Sequence, residues 1–149
     1  MKRFEIIDRA ETAGLTGYGR TLEELFAHMA LGMFGARADV TAVQPMASIP
    51  ILTEAEHLDG LLVAWLRELL HAAARDGLVF MNCRVGQVEP NLHMMSGEAV
   101  GEALDPERHT IYREVSTVTA GASPAVRRDG DLWVADVLLG VSARPGLGV

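Results

Sequence analysis

Cysteine is almost missing from this sequence: Cys83 stands alone. One thiol makes no internal disulfide framework, which suits a reducing compartment. With no second cysteine and no H-E-x-x-H spacing among the histidines, a structural zinc site has nothing to be built from. Lysine is nearly absent too. Lys2 is the only one among 13 basic residues, a pattern best read as a coding preference for arginine. Positive charge is outnumbered, with 20 acidic side chains giving a net charge of −7 and a pI near 5.1. That argues against a broad electrostatic grip on nucleic acid. No apolar run approaches the roughly 18 residues of a membrane helix. The opening Met1-Lys2-Arg3-Phe4-Glu5 meets Glu5 and Asp8 too early for a secretory signal, so a cytoplasmic protein is expected. There is no phosphate-binding loop. Gly14-Leu15-Thr16-Gly17-Tyr18-Gly19 has neither the G-x-G-x-x-G order nor the P-loop lysine, and no cofactor is expected. These glycines read instead as a twisted strand that lets a helix come close.

What is present is ordinary globular material. The chain has 149 residues, 49% hydrophobic and 22% charged. A chain of this length buries roughly 68–70% of its unfolded surface, enough for a core without staples. Residues 1–141 are expected to form one domain, and the glycine- and proline-rich stretch 142–149 a loose tail.

The apolar pattern divides the chain into short strands and two helices. Phe4–Ile7 and Leu15–Gly19 read as strands that pair. Thr21-Leu22-Glu23-Glu24 is a capping-box pattern. Behind it Leu22, Leu25, Phe26, Met29, Ala30, Met33 and Phe34 form one stripe, predicting a helix over 22–34 stopped by Gly35. Val40–Leu52 carries Pro45 and Pro50 and is expected as an edge strand or extended link. Thr53-Glu54-Ala55-Glu56 looks like a second capping box. It precedes a helix with Leu58, Leu61, Leu62, Trp65 and Leu69 on its stripe and Gly77 as its stop. That helix is apolar enough to pack centrally, or to support a dimer. Strands are then predicted over 78–85, 92–98, 111–119 and 133–139, with turns at Pro90-Asn91, Asp105–Arg108 and Asp129-Gly130. Helices and strands do not alternate regularly. An α+β domain follows, with two helices packed on mostly antiparallel sheet.

Chemistry is sparse. Cys83 reads as a small core residue. His28, His57 and His71 lie on or beside the helices and read as solvated or capping groups. Glu98, Glu102, Asp105 and Glu107 gather before His109; Asp136 lies in an apolar strand and must be wet or paired. Surface-facing carboxylates are the expectation for the cluster. The alternative is a metal-dependent hydrolase or nucleotide-binding enzyme using Glu98, Glu102, Asp105 and His109.

Several segments together resemble one family, the archeases. They are Gly17–Phe26, Ala30-Leu31-Gly32-Met33-Phe34, Leu61-Leu62, Trp65-Leu66, Glu68-Leu69-Leu70, Gly77–Phe80, Gly101-Glu102, Asp105–His109 and Glu114-Val115. Their order and spacing hold over about nine-tenths of the chain. The resemblance implies a non-enzymatic accessory protein for an RtcB-type RNA ligase in tRNA splicing and RNA repair, one that promotes guanylylation of the ligase. It also implies a chaperone-like link to tRNA methyltransferases.

The resemblance further implies a metal site. In the family it uses the last aspartate of an early Asp-His-Thr-Ala-Asp motif, a late aspartate and the terminal carboxylate, with a nearby functional lysine. This chain departs at those places. The early motif reads Asp8-Arg9-Ala10-Glu11-Thr12, with Arg9 for histidine and Thr12 for the metal aspartate. Ser116 stands for the lysine. Lined up on Trp133, Gly140 stands for the late aspartate, with the chain running on to Val149. Choosing Asp136 instead shifts the strand by four residues. A degenerate metal site is therefore expected. An Arg9 ion pair with Asp8 and Glu11 is the expected substitute for the cation. The candidate partner or family-site positions are Asp8, Arg9, Thr12, His109, Ser116 and Gly140, with no metal and no catalytic residue assigned.

Overall fold

The computed structural model describes residues 1–89, 91 and 93–142. Its order is β1 Phe4–Asp8, β2 Thr12–Gly19, α1 Leu22–Arg37, a 3-10 turn Val40–Ala42, β3 Ala47–Glu54, α2 Leu58–Asp76, β4 Leu78–Val85, β5 Met94–Ala103, β6 Val115–Ala120, β7 Val126–Asp129 and β8 Leu132–Val141. The strands form two antiparallel sheets. One runs β1-β2-β8-β6, with β7 also on β8; the other runs β3-β5-β4. Two helices on antiparallel sheet is the predicted class, but the strands divide between two sheets. Each helix bridges them. α1 lies on β2 of the first and β4 of the second, and α2 lies on β6 and β3.

Alternation explains the first sheet. Along β2, Ala13, Leu15, Gly17 and Gly19 point inward and are buried, while Thr12, Gly14, Thr16 and Tyr18 face outward. α1 presses onto this inner face. A Cβ on Gly19 would sit 2.8 Å from Leu25 Cα and 2.9 Å from the Thr21 carbonyl oxygen, backbone that has no room to move. Trp65 of α2, fully buried, donates its indole N–H to the Phe26 carbonyl (3.1 Å), so the helices are tied by a hydrogen bond inside the core. The apolar stripe of α2 is used up within the chain: Leu61, Leu62, Trp65, Leu66 and Leu69 are all buried. Cys83 is buried as expected, and burial pushes its thiol up to about 12, so it is inert as a nucleophile at neutral pH.

Helix ends separate local signal from tertiary outcome. Thr21 caps α1, accepting from the Glu24 N–H (3.1 Å), while Glu24 returns to the N–H of Arg20. Gly35 does not stop α1. The helix runs on to Arg37, because the extra turn buries Ala36 and brings the Arg37 guanidinium to the Leu78 carbonyl (2.9 Å). The second capping box fails outright. Thr53 and Glu54 stay in β3, paired with Met95 and Met94, and α2 starts at Leu58 behind His57, which makes no side-chain cap. Gly77 ends α2 as predicted, at φ 63°.

β3 is an edge strand and carries Pro50, as its prolines required. The segment from Ile111 becomes strand only at Val115. Ile111 makes an isolated bridge to Ala38, and the N–H groups of Tyr112 and Arg113 turn to the Arg37 carbonyl. The short strand β7, rich in arginine, had no apolar pattern to announce it. The Asp129-Gly130 turn is found, with Gly130 at φ 60°. Pro90 and Leu92 of the predicted turn and strand start, and residues 143–149 of the predicted tail, lie outside the described residues. No helix among those described is long and apolar enough to cross a membrane.

These packings predict opposite results for two glycines. Gly35→Ala meets nothing within 4 Å and should stabilise by about 0.5–1 kcal/mol, the usual gain for glycine to alanine inside a helix. Gly19→Ala should destabilise by about 1–3 kcal/mol or more through overpacking. Urea unfolding of both variants measures this; a Gly19→Ala variant as stable as the parent contradicts the close approach of α1 to β2.

Candidate functional site

Two polar centres stand out, and sequence order does not separate them as space does. The first is buried. Glu102, near the end of β5, is 7% exposed, and His109 in the following loop is 5% exposed. The expectation that this acidic cluster faces solvent is therefore corrected for both. β5 runs further than its apolar pattern suggested; Glu102 falls on the face opposite Met95, Ala99 and Gly101, and is buried there because Gln44, Arg108 and His109 close over it. Arg108 grips the Glu102 carboxylate with both terminal nitrogens, one at 2.9 Å from Oε2. The Gln44 N–H donates to the same oxygen at 2.6 Å, and His109 Nε2 lies at 3.0 Å from it. His109 Nδ1 accepts from the Asp105 N–H (2.9 Å), so Nε2 carries the proton and donates to Glu102.

The other members of the acidic cluster do not converge here. Glu98 is paired with Arg84 at 3.0 Å and accepts from Ser48 at 3.1 Å. The Asp105 carboxylate caps its own turn at the Glu107 N–H (3.0 Å). Glu102 has donors on both oxygens. Its carboxylate is thus a staple holding the segments at Gln44 and Arg108 onto β5.

The second centre lies on the outer face of the first sheet. β2 pairs with β8 so that Thr12 stands opposite Gly140, and β6 places Thr117 on the other side of Gly140. A bulge at Ser116 turns its hydroxyl to the Gly140 carbonyl (3.3 Å). Thr12, Ser116 and Gly140, far apart in sequence, are therefore neighbours; Asp8, at the end of β1, stands opposite the inward Ala13 and so belongs to the inner face of the sheet, on the α1 side. Asp136 stands opposite Thr16, four positions along β2 from Thr12. It accepts from the Thr16 hydroxyl and is paired with Arg127 at 2.6 Å. Gly140, and not Asp136, is the residue of β8 that stands opposite Thr12.

Arg9 does not play the part expected of it. It is exposed on the turn after β1, beside Ile7, Gly14 and Leu138, and no carboxylate among the described residues reaches it. Asp8 is instead paired with Arg113 at 2.7 Å. Arg113 was not singled out by sequence, since nothing in a residue one position before Glu114 says that its chain folds back toward β1. The physical reason for the exchange is anchoring. Arg113 is 14% exposed by side chain, and its Nε donates to the Ala36 carbonyl at 3.1 Å, so the guanidinium is already fixed when Asp8 meets it. His109 belongs to the buried centre. Among the described residues, no three His, Cys, Asp or Glu side chains converge in a way that holds an ion.

The family model of the archease protein family matches residues 4–141. The chain belongs to the archease family. The protein archease of Thermococcus gammatolerans is 38% identical over 120 residues, covering 80% of this chain and 84% of that one. The protein archease of Pyrococcus furiosus is 32% identical over 139 residues, 93% and 98% of the two chains. In solution, protein 1598 of Methanobacterium thermoautotrophicum has the same architecture, with a TM-score of 0.80 at 30% identity over 94% of this chain and 99% of that one. The crystal structure of a Thermotoga maritima archease, described as a possible chaperone, shares the fold at a TM-score of 0.55 and 14% identity, over 90% and 94% of the chains. Within this archease, the buried centre lies under the segments at Gln44 and Arg108; the hydroxyl-lined centre faces outward.

The buried staple sets an acid limit on stability. Arg108 foremost, then the Gln44 N–H and, more weakly, His109 hold the Glu102 carboxyl down at about 2, against the opposing effect of burial. A carboxyl held lower in the folded than in the unfolded state stabilises at pH values above its ordinary 4.5, and that contribution is lost as pH falls from 4.5 toward 2. Urea unfolding between pH 7 and 2 should show the loss. Glu102→Gln should be less stable at pH 7 and follow a shallower slope in the acid window; an unchanged slope contradicts the staple.

Proposed function

We propose that this archease is an accessory protein that binds an RtcB-type RNA ligase and assists its guanylylation, in the cytoplasm, in tRNA splicing and RNA repair, and is not itself a catalyst. The observation that carries this reading is membership of the archease family along residues 4–141. Two features agree with it. The carboxylates of the alternative hydrolase cluster have partners within the protein: Glu102 is bound by Arg108, Glu98 by Arg84, and Asp105 by its own turn. The outer face of the first sheet presents Arg9, whose guanidinium has no ion-pair partner among the described residues, next to exposed Ile7 and Leu138, a mixed surface of the kind that recognises protein. The partner is a protein, and the net charge of −7 disfavours direct, sequence-independent hold on RNA.

Tagged protein incubated with the RtcB-type ligase of the same organism should retain it, and ligase guanylylation from labelled GTP should run several-fold faster with the protein than without. Neither retention nor acceleration would leave the chain with the family's fold and a different task.

A further inference from the structure

The donors at the outer centre disagree with the ion that the family resemblance implies there. Four positions meet around the β2–β8–β6 junction, and their side chains are hydroxyl, hydroxyl, hydroxyl and hydrogen: Thr12, Ser116, Thr117 and Gly140. Hard divalent cations take six to eight oxygens, several of them carboxylate, and their affinity follows ligand charge. The space for a late carboxylate is also filled. A Cβ on Gly140 would run into the Thr117 hydroxyl, with Ser116 Oγ 3.6 Å away. Of the two carboxylates flanking the β1–β2 turn, Asp8 is bound by Arg113, which leaves the exposed Glu11 alone. A cation arriving at Asp8 would have to displace or sit beside a guanidinium, and the two positive charges repel.

We infer that the outer junction takes no divalent ion, and that an internal guanidinium, Arg113, holds this end of the sheet without metal, from its inner face, through Asp8. The inference rests on family membership and not on any ligase partner. Arg113 is well placed for the task. Its Nε is held by the Ala36 carbonyl, in the last turn of α1, where the helix dipole favours a cation. Its Nη2 reaches Asp8. One side chain thus ties the end of α1 to the end of β1. The neighbouring Arg37 joins α1 in the same way to the Leu78 carbonyl and to Glu114 at 3.4 Å. The remaining polar groups at the junction are satisfied by the chain itself: the Val141 N–H donates to the Glu11 carbonyl (3.0 Å), and the Glu114 N–H to Ser142 Oγ (3.0 Å).

The test is thermal unfolding of the full chain in EDTA and in millimolar calcium, magnesium or manganese chloride, with calorimetric titration of calcium beside it. The parent protein should keep its Tm within about 1 °C in every condition and give no saturable heat. Arg113→Gln should lower Tm by roughly 3–6 °C, a shift that no metal restores. Asp8→Asn should lower it as well, and the double variant should be less destabilised than the sum of the two. A metal-dependent rise in the parent's Tm, or a one-site calcium isotherm, overturns the inference. So do strictly additive losses for Asp8→Asn and Arg113→Gln. If Arg113→Gln does not fold, the parent titration and Asp8→Asn, at an exposed position, still decide. A chain that ignores the ligase yet passes these tests sinks the functional proposal alone.

Discussion

The register of β2 against β8, with Thr12 opposite Gly140 and Gly19 opposite Trp133, is the constraint on which the rest of this molecule depends. It is locked from inside. Ala13, Leu15, Gly17 and Gly19 all face α1, and the glycines leave space for Met29 and Leu25 to come down onto the strand. A slip of one residue would turn Thr12, Thr16 and Tyr18 into the core and Leu15 out to water. Burying Leu15 alone is worth about 1.5–3 kcal/mol, so no slipped pairing competes. The outward face, with its hydroxyl row and the groove beside Arg9, is therefore fixed by packing on the opposite side of the sheet.

Arginine does much of the remaining joining. Arg37 and Arg113 connect the end of α1 to β1, to the start of β4 and to the segment before β6. Arg108 clamps Glu102, and Arg67 of α2 donates to the Val118 carbonyl (3.0 Å) on β6. A planar fork with several donors reaches a carbonyl and a carboxylate together, which the point charge of lysine does less well. The near absence of lysine thus has a structural use here, whatever its origin in coding. Asp59 works from the acidic side. In the first turn of α2 it accepts from the N–H groups of Ala125 and Val126 (2.8 and 2.9 Å) and so aligns β7 for pairing with β8.

The two polar centres differ in the same physical terms. Glu102 is buried and has donors on both oxygens, so it holds the segments at Gln44 and Arg108 against β5. Asp8 is 59% exposed, and solvent screens its pair with Arg113. The hydroxyl-lined centre is on the opposite, outer face of the sheet, beside exposed Ile7 and Leu138.

Much was legible in the residues themselves. The stripe from Leu22 to Phe34, the Gly77 stop, the β4 span Leu78–Val85 and the Asp129-Gly130 turn were all readable, because each is set by local periodicity or by one backbone conformation. The family was readable as residue identities in order. Three things were decided only by the folded chain. Gly35 stayed helical and Thr53 stayed in a strand because distant contacts outweighed a local preference of about 1 kcal/mol. Glu102 is buried because Gln44, Arg108 and His109, from two distant segments, close over it. Asp8 chose Arg113 over the adjacent Arg9, since an arginine already anchored at Ala36 loses less freedom in the pair than one on an exposed turn. Sequence order lists which charges exist; which of them meet is set by where strands and helices bring their ends together.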